Sequence, residues 1–293
     1  MTMNAANVFI KSLRWADSAA FAIMHKRAEE FTLTGCFNTL PGTRSFFSAT
    51  LLRLTGLSMV AMTIGGQATV CAQTAQRPRI SVKPSEDFQL TGTGEDAHWR
   101  QAEWVTLRRR QPEGHPYDTR VKVLYSRTGL YVLMEATDRK LSATMNEDFM
   151  DLWNEDVFEA FLWTDERYPV YFEYEISPLN RELPIVIPNF GGQFLGWRPW
   201  HYERERLTRK ATSTIDGPKE AQASIKGWRA EVFIPYELLK PLQNVPPKPG
   251  TRWRANFYRM DYDDGKRTQW EWAQVGTSFH EYEKFGDLLF TER

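Results

Sequence analysis

Residues 170–177 read VYFEYEIS, and Val170, Phe172, Tyr174 and Ile176 alternate strictly with Tyr171, Glu173, Glu175 and Ser177. A period of two places successive side chains on opposite faces of a strand. The apolar set must face a core, so two glutamates and a serine share the other face. Shorter runs of the same kind recur along the chain: RVKVLYS (120–126), LYVLMEATD (130–138), DVFEAFLW (156–163), GWRAEVFIP (227–235), TRWRANFYRMD (251–261), TQWEWAQ (268–274) and FGDLLF (285–290). Thr128-Gly129 and Asp264-Gly265 sit between neighbouring runs as hairpin turns. Helical spacing is scarce, and YELLKPL (236–242) is the one stretch expected to form a turn or two of helix. Many short strands with few helices predict an all-β fold, an antiparallel, jelly-roll-like β-sandwich with one short helix. Residues 181–220 read as a long irregular loop rich in Gly, Pro and Trp, a length usually tied to function.

The overall charge is zero, but it is split. Residues 1–72 carry a net +3 and residues 73–293 a net −3. No strongly basic domain is present, which argues against nucleic-acid binding. The run Arg108-Arg109-Arg110 is too short to change that and reads as solvated surface. Arg44 and Arg53 precede LTGLSMVAMTIGG, an apolar run too short to span a bilayer, which takes about 20 residues. ATVCAQ follows, with Val70 and Ala72 at the small-residue places of a signal-peptidase site before Gln73. The expected organisation is an N-terminal extension at 1–43, carrying a misplaced start, and a signal peptide at 44–72. A linker at 73–85 and one β-sandwich domain at 86–293 complete it. Acylation of Cys71 is an alternative that the bulk of Val70 disfavours. The mature chain would then be secreted or periplasmic, with no stable membrane span. Both cysteines, Cys36 and Cys71, precede the cut, so a disulfide scaffold, a thiolate metal site and a cysteine nucleophile are excluded from the mature part.

Ten of the 11 tryptophans follow residue 73. Trp153 lies in the acidic stretch MDLWNED just before a strand. A ring so placed either caps the end of a sandwich or offers a flat face to the C–H side of a sugar ring. Glu159, inside the following strand, and Glu175 and Ser177 on the polar face of VYFEYEIS are partners for hydroxyls that cannot be buried unpaired.

In order along the chain, WNEDVFEAFL, YFEYEISPLN, GWRAEVFIPYELL, GTRWRANFYRMD and FHEYEKFGDLLF resemble the family 9 carbohydrate-binding modules and their single-domain relatives. DAHWRQAEW (96–104) and LYVLMEATD fit that family's opening strands, so the resemblance spans roughly residues 86–292. It implies a β-sandwich that holds a saccharide between two aromatic rings. Trp153 stands where one ring comes from, and Phe279 where the best-studied members carry a second tryptophan. Glu159 matches the family's strand glutamate. Glu175 and Ser177 occupy places where better-characterised members hold hydroxyls with arginine and asparagine. The resemblance also implies structural calcium, with Asp138, Asp156 and Asp261 as oxygen ligands, and no other cofactor. The expected partners are a saccharide or polysaccharide and polysaccharide-degrading enzymes.

Three other readings compete. A glycoside hydrolase would use Glu159 and Glu175 as a carboxyl pair flanking a scissile bond. A haem-binding sandwich would use His280 as an axial ligand. An envelope interaction domain would use neither. Trp197 and Trp200 in GWRPWH either line the site or anchor their loop, while Trp228, Trp253, Trp270 and Trp272 read as packing residues.

Overall fold

The computed structural model describes residues 77–292, so the expected extension, signal peptide, cleavage site and both cysteines lie outside the described residues. The strands in chain order begin with β1 (Arg79–Pro84), β2 (Val105–Thr106), β3 (Arg108–Arg109), β4 (Thr119–Tyr125) and β5 (Gly129–Thr137). β6 (Val157–Trp163), β7 (Val170–Ile176), β8 (Glu182–Phe190), β9 (Gln193–Phe194) and β10 (Arg198–Pro199) follow. The last are β11 (Arg209–Ile215), β12 (Gly227–Pro235), β13 (Arg252–Asp261), β14 (Thr268–Glu271) and β15 (Gly286–Phe290). Among the described residues the one α-helix, α1 (Tyr236–Leu239), is a single turn.

These strands make an antiparallel β-sandwich. One sheet runs β10-β8-β7-β6-β13-β15-β1 and the other β1-β4-β5-β12-β11. β1 belongs to both: Arg79–Val82 pair with β15, and Lys83 and Pro84 pair with β4. These two β1 ladders are parallel, the exception in an otherwise antiparallel fold. The expected linker at 73–85 is therefore not one over its described part, because Ile80 and Val82 enter the core. The proline-punctuated composition hid a strand whose ladder stops at Pro84.

The core is what the alternation demands. Val121, Val123 and Tyr125 of β4 and Leu130, Val132 and Met134 of β5 face Phe158, Ala160 and Leu162 of β6 and Phe172, Tyr174 and Ile176 of β7. Phe158 stacks on Trp228 with ring centroids 3.7 Å apart. Trp228, Trp253, Trp270 and Trp272 are all buried, and a large apolar side chain so placed contributes about 1.5–3 kcal/mol. The expected hairpin at Asp264-Gly265 joins β13 to β14, where Asp261 pairs with Thr268. Asp264 there takes a positive φ of 55°.

The expected irregular loop at 181–220 is a correction. It holds β8, β9, β10 and β11. Pro184 and Pro188 argue against a central strand, since proline has no N–H for a ladder. In β8 both proline carbonyls point away from β7, accepting from Trp200 and Leu195. Backbone N–H and C=O of one residue point the same way in an antiparallel strand, so the missing donors fall on the side covered only by the two-residue strands β9 and β10.

Candidate functional site

The polar face of β7 turns outward from the core and is roofed by loops. Register lays its residues out in rows. Tyr258, Glu159, Glu175 and Leu183 lie in line across β13, β6, β7 and β8, and Asn256, Phe161, Glu173 and Ile185 form the next row. Glu159 and Glu175 are thus direct cross-strand neighbours, and Glu173 stands two residues along the same face. All three are buried: 2 % exposed for Glu159, 4 % for Glu173 and none for Glu175.

Three loops rise around this floor. The turn Leu152–Asn154 precedes β6 and presents Trp153, whose carbonyl accepts a bond from the Tyr262 hydroxyl at 2.6 Å. Trp153 meets Trp197, from the segment between β9 and β10, edge to face at 5.7 Å. The segment after β14 supplies Thr277, Ser278, Phe279 and His280. Asn256 fixes its start through Ala273, and the Tyr258 hydroxyl donates to the Phe279 carbonyl at 2.9 Å. His280 stacks on Phe194 of β9 at 4.2 Å, and its Nδ1 is 2.6 Å from the Tyr171 hydroxyl. The walls and floor enclose a cavity of about 400 Å³, within the range of small-molecule sites.

Four of the five expected binding residues line this cavity: Trp153, Glu159, Glu175 and Phe279. Ser177 does not. It lies at the turn joining β7 to β8, where its backbone N–H donates to the Arg181 carbonyl and its hydroxyl accepts from the Arg181 N–H at 3.3 Å. The alternation ends one residue too early for it, because β7 closes at Ile176. Phe279 also differs from expectation. Tyr258 is stacked on one face at 4.0 Å and the Arg110 guanidinium lies over the ring at 4.8 Å, so the ring offers the cavity its edge. Arg110 itself departs from solvated surface, being paired with buried Glu271 at 3.0 Å. The two readings of GWRPWH divide between the tryptophans: Trp197 lines the cavity, while the Trp200 Nε1–H anchors the segment on the Leu238 carbonyl. Sequence reasoning missed Phe194, Arg267, Gln269, Thr277 and Ser278 as lining residues and did not count Glu173 among the site's carboxyls.

Burial dominates the electrostatics of the floor. It pushes the Glu159 carboxyl up to about 8. Glu173 and Glu175 are raised well above the usual carboxylate range, first by burial and then by repulsion from Glu159. Both oxygens of Glu175 and one of Glu173 have no hydrogen-bond donor beyond the bond these two carboxyls make with each other. Burial pushes His280 down to about 4, so its ring is neutral at physiological pH.

A second polar cluster lies between the sheets. Asp138, Asp156 and Asp261 are buried and offer carboxylate oxygens all within 4.8 Å of one another. The Arg259 guanidinium, fully buried, donates to Asp138 at 2.9 Å and Asp261 at 2.8 Å. Asp156 accepts backbone N–H bonds from Ser142 and Tyr262. With Asp263 beside them, the acidic groups outnumber the one buried cation, and burial raises Asp138 to about 7 and Asp156 and Asp261 above their usual range. Hard oxygens gathered with excess negative charge fit calcium.

Residues 90–181 match the family described as "Carbohydrate family 9 binding domain-like". An "Extracellular protein" of Arthroderma benhamiae is 28 % identical over 192 residues, covering 61 % of this chain and 82 % of that protein. A candidate carbohydrate-binding protein from Bacteroides uniformis superposes with a TM-score of 0.61 at 15 % identity, over 73 % of this chain and all of that one. A family 9 carbohydrate-binding module of Caldicellulosiruptor kristjanssonii, solved with cellotriose, gives 0.53 at 18 % identity, over 74 % of this chain and 95 % of that one. In sequence pattern and in fold the chain is similar to that family.

Proposed function

We propose that this chain, with the fold and sequence pattern of a family 9 carbohydrate-binding module, binds a saccharide in the cavity roofed by Trp153, Trp197 and Phe279. The observation that carries the reading is the pairing of aromatic walls with a floor of buried, unpartnered carboxyl oxygens. A sugar ring needs both: apolar C–H faces pack on aromatic carbon, and its hydroxyls need partners when water is excluded. Trp153 is the packing platform, and the edge of Phe279 closes the other side. Glu159 and Glu175 meet the hydroxyls. The cellotriose complex of the Caldicellulosiruptor kristjanssonii module supports this reading.

The binding is non-catalytic. In this reading Glu159 and Glu175, cross-strand neighbours on one floor, meet hydroxyls of the bound sugar rather than flank a bond to be cut. The protein works outside the cytoplasm, beside enzymes that degrade polysaccharides, as the signal-like segment and the extracellular relative suggest. Among the described residues no helix is long and apolar enough to cross a membrane. Asp138, Asp156 and Asp261 hold a structural calcium, which would neutralise the buried charge between the sheets.

Calorimetric titration of the full chain against mono- and oligosaccharides tests the reading. Binding in the millimolar-to-micromolar range is expected, with Trp153→Ala weakening it at least tenfold while the melting temperature holds. Equal binding by both proteins would take Trp153 out of the site, and turnover of an aryl-glycoside lost in Glu159→Gln would replace binding by catalysis.

A further inference from the structure

The floor carries more carboxyl groups than the hydroxyls of a neutral sugar require. Three carboxyls stand side by side, and three of their six oxygens meet no donor from outside the trio, Glu173 and Glu175 being bonded to each other. The cations around them are engaged with other groups or stand at exposed positions. Arg110 is bound to Glu271 and the Gly276 carbonyl. Arg267 reaches the cavity only from an exposed loop position. Near Glu173, the His280 Nδ1 lies 3.9 Å from one oxygen and is held by Tyr171. The remaining polar neighbours are the Tyr258 and Tyr262 hydroxyls, the Asp151 carboxylate and, on the walls, Gln269, Thr277 and Ser278, none of them a positive charge. The glutamates are also not gathered as the aspartates between the sheets are, whose oxygens all converge within 4.8 Å. A bare metal ion therefore suits the floor less well than a group with several directed N–H donors.

We propose that the saccharide this cavity takes carries a protonated amine: a hexosamine unit without its acetyl group, its ammonium on the floor of Glu159, Glu173 and Glu175 and its ring against Trp153. The inference rests on the saccharide reading and narrows it to a ligand class. An ammonium has three donors and no acceptor, which suits a floor of carboxyl oxygens once one of the glutamates has given up its proton. Charge-assisted bonds to carboxylates are roughly twice as strong as neutral ones. N-acetylation removes the charge and two of the three N–H donors, so the acetylated sugar forfeits the charge-assisted bonds.

Binding a cation here must ionise a carboxyl that burial otherwise holds protonated. At pH 6.5 the uptake of an ammonium ligand is thus coupled to release of close to one proton. Calorimetry of the full chain at pH 6.5, in two buffers of different ionisation enthalpy, reads both affinity and protons. The probes are the glucosamine trimer, the N-acetylglucosamine trimer, cellotriose and spermidine. The glucosamine trimer is expected to bind at least tenfold more tightly than the other three and to release a proton. Glu175→Gln is expected to remove most of that preference, and Glu173→Gln, melting as the parent protein does, serves as a second variant. Cellotriose binding as tightly as the glucosamine trimer, with Trp153→Ala sensitivity, would overturn the amine and leave the saccharide reading standing. Spermidine matching the trimer would overturn it by showing that the sugar ring is not recognised. No binding by any saccharide would overturn both readings.

Discussion

Arg259→Leu is expected to cost about 3–5 kcal/mol of stability in a chelating buffer, the range found when one partner of a buried ion pair is removed. The guanidinium is fully buried, bridges Asp138 and Asp261, and packs over the Trp270 ring at 4.7 Å. Without it, Asp138, Asp156, Asp261 and Asp263 remain between the sheets with no buried cation among them, and part of the loss is avoided only by protonating them. A divalent cation on the aspartate trio supplies what the arginine did. Millimolar calcium should therefore recover a large part of the loss, and should raise the melting temperature of Arg259→Leu more than that of the parent chain. Denaturant unfolding with and without calcium measures both. An equal loss in either buffer would mean that Arg259 acts through packing alone and that calcium does not bind at the trio.

The second large effect is a fall in stability with rising pH. Glu159 is pushed from an ordinary 4.5 to about 8 on folding, because burial penalises its ionised form. The folded protein holds that proton where the unfolded chain has released it. The contribution is complete below pH 4.5 and is lost as pH rises through about 8. Between pH 6.5 and 8.5 one such group removes about 2 kcal/mol, or roughly 4–8 °C in melting temperature for a domain of this size. Glu173 and Glu175, shifted the same way, steepen the decline. His280, depressed to about 4, acts in the opposite sense but is finished by its unfolded value of 6.5. Carboxyls lowered by partners, such as Asp87 and Glu135, have contributed fully before this window opens. Melting in saturating calcium, which keeps the aspartate trio ionised, should show the decline, and Glu159→Gln should flatten it. A parent protein that melts equally at pH 6.5 and 8.5 would show that the floor is not desolvated.

Where alternation was strict the strands could be read from sequence. VYFEYEIS and RVKVLYS lie where their periodicity puts them, and the polar face of the former is the cavity floor. Glu159 and Glu175 became neighbours through β6–β7 pairing, a consequence of register that no single strand displays. Asp138, Asp156 and Asp261 were expected together only by resemblance, and pairing across the sandwich brings them within reach. β8 escaped because its two prolines speak against a strand unless one knows which side is unpaired. Phe194 escaped with it, although Gly191 and Gly192, both at positive φ, mark the β8–β9 hairpin that carries it. Ser177 was placed by extending the alternation beyond the strand's end. Nothing local in the chain shows that Tyr258 and Arg110 cover Phe279, since one comes from β13 and the other from the bend just after β3.

A crystal structure of the full chain with a bound saccharide tests the central claim most directly. The account predicts a sugar ring packed on Trp153, with a polar group of that sugar within hydrogen-bonding distance of Glu175 and the edge of Phe279 in contact. A saccharide bound elsewhere on the sandwich, with the cavity over β6 and β7 holding only water, would contradict it.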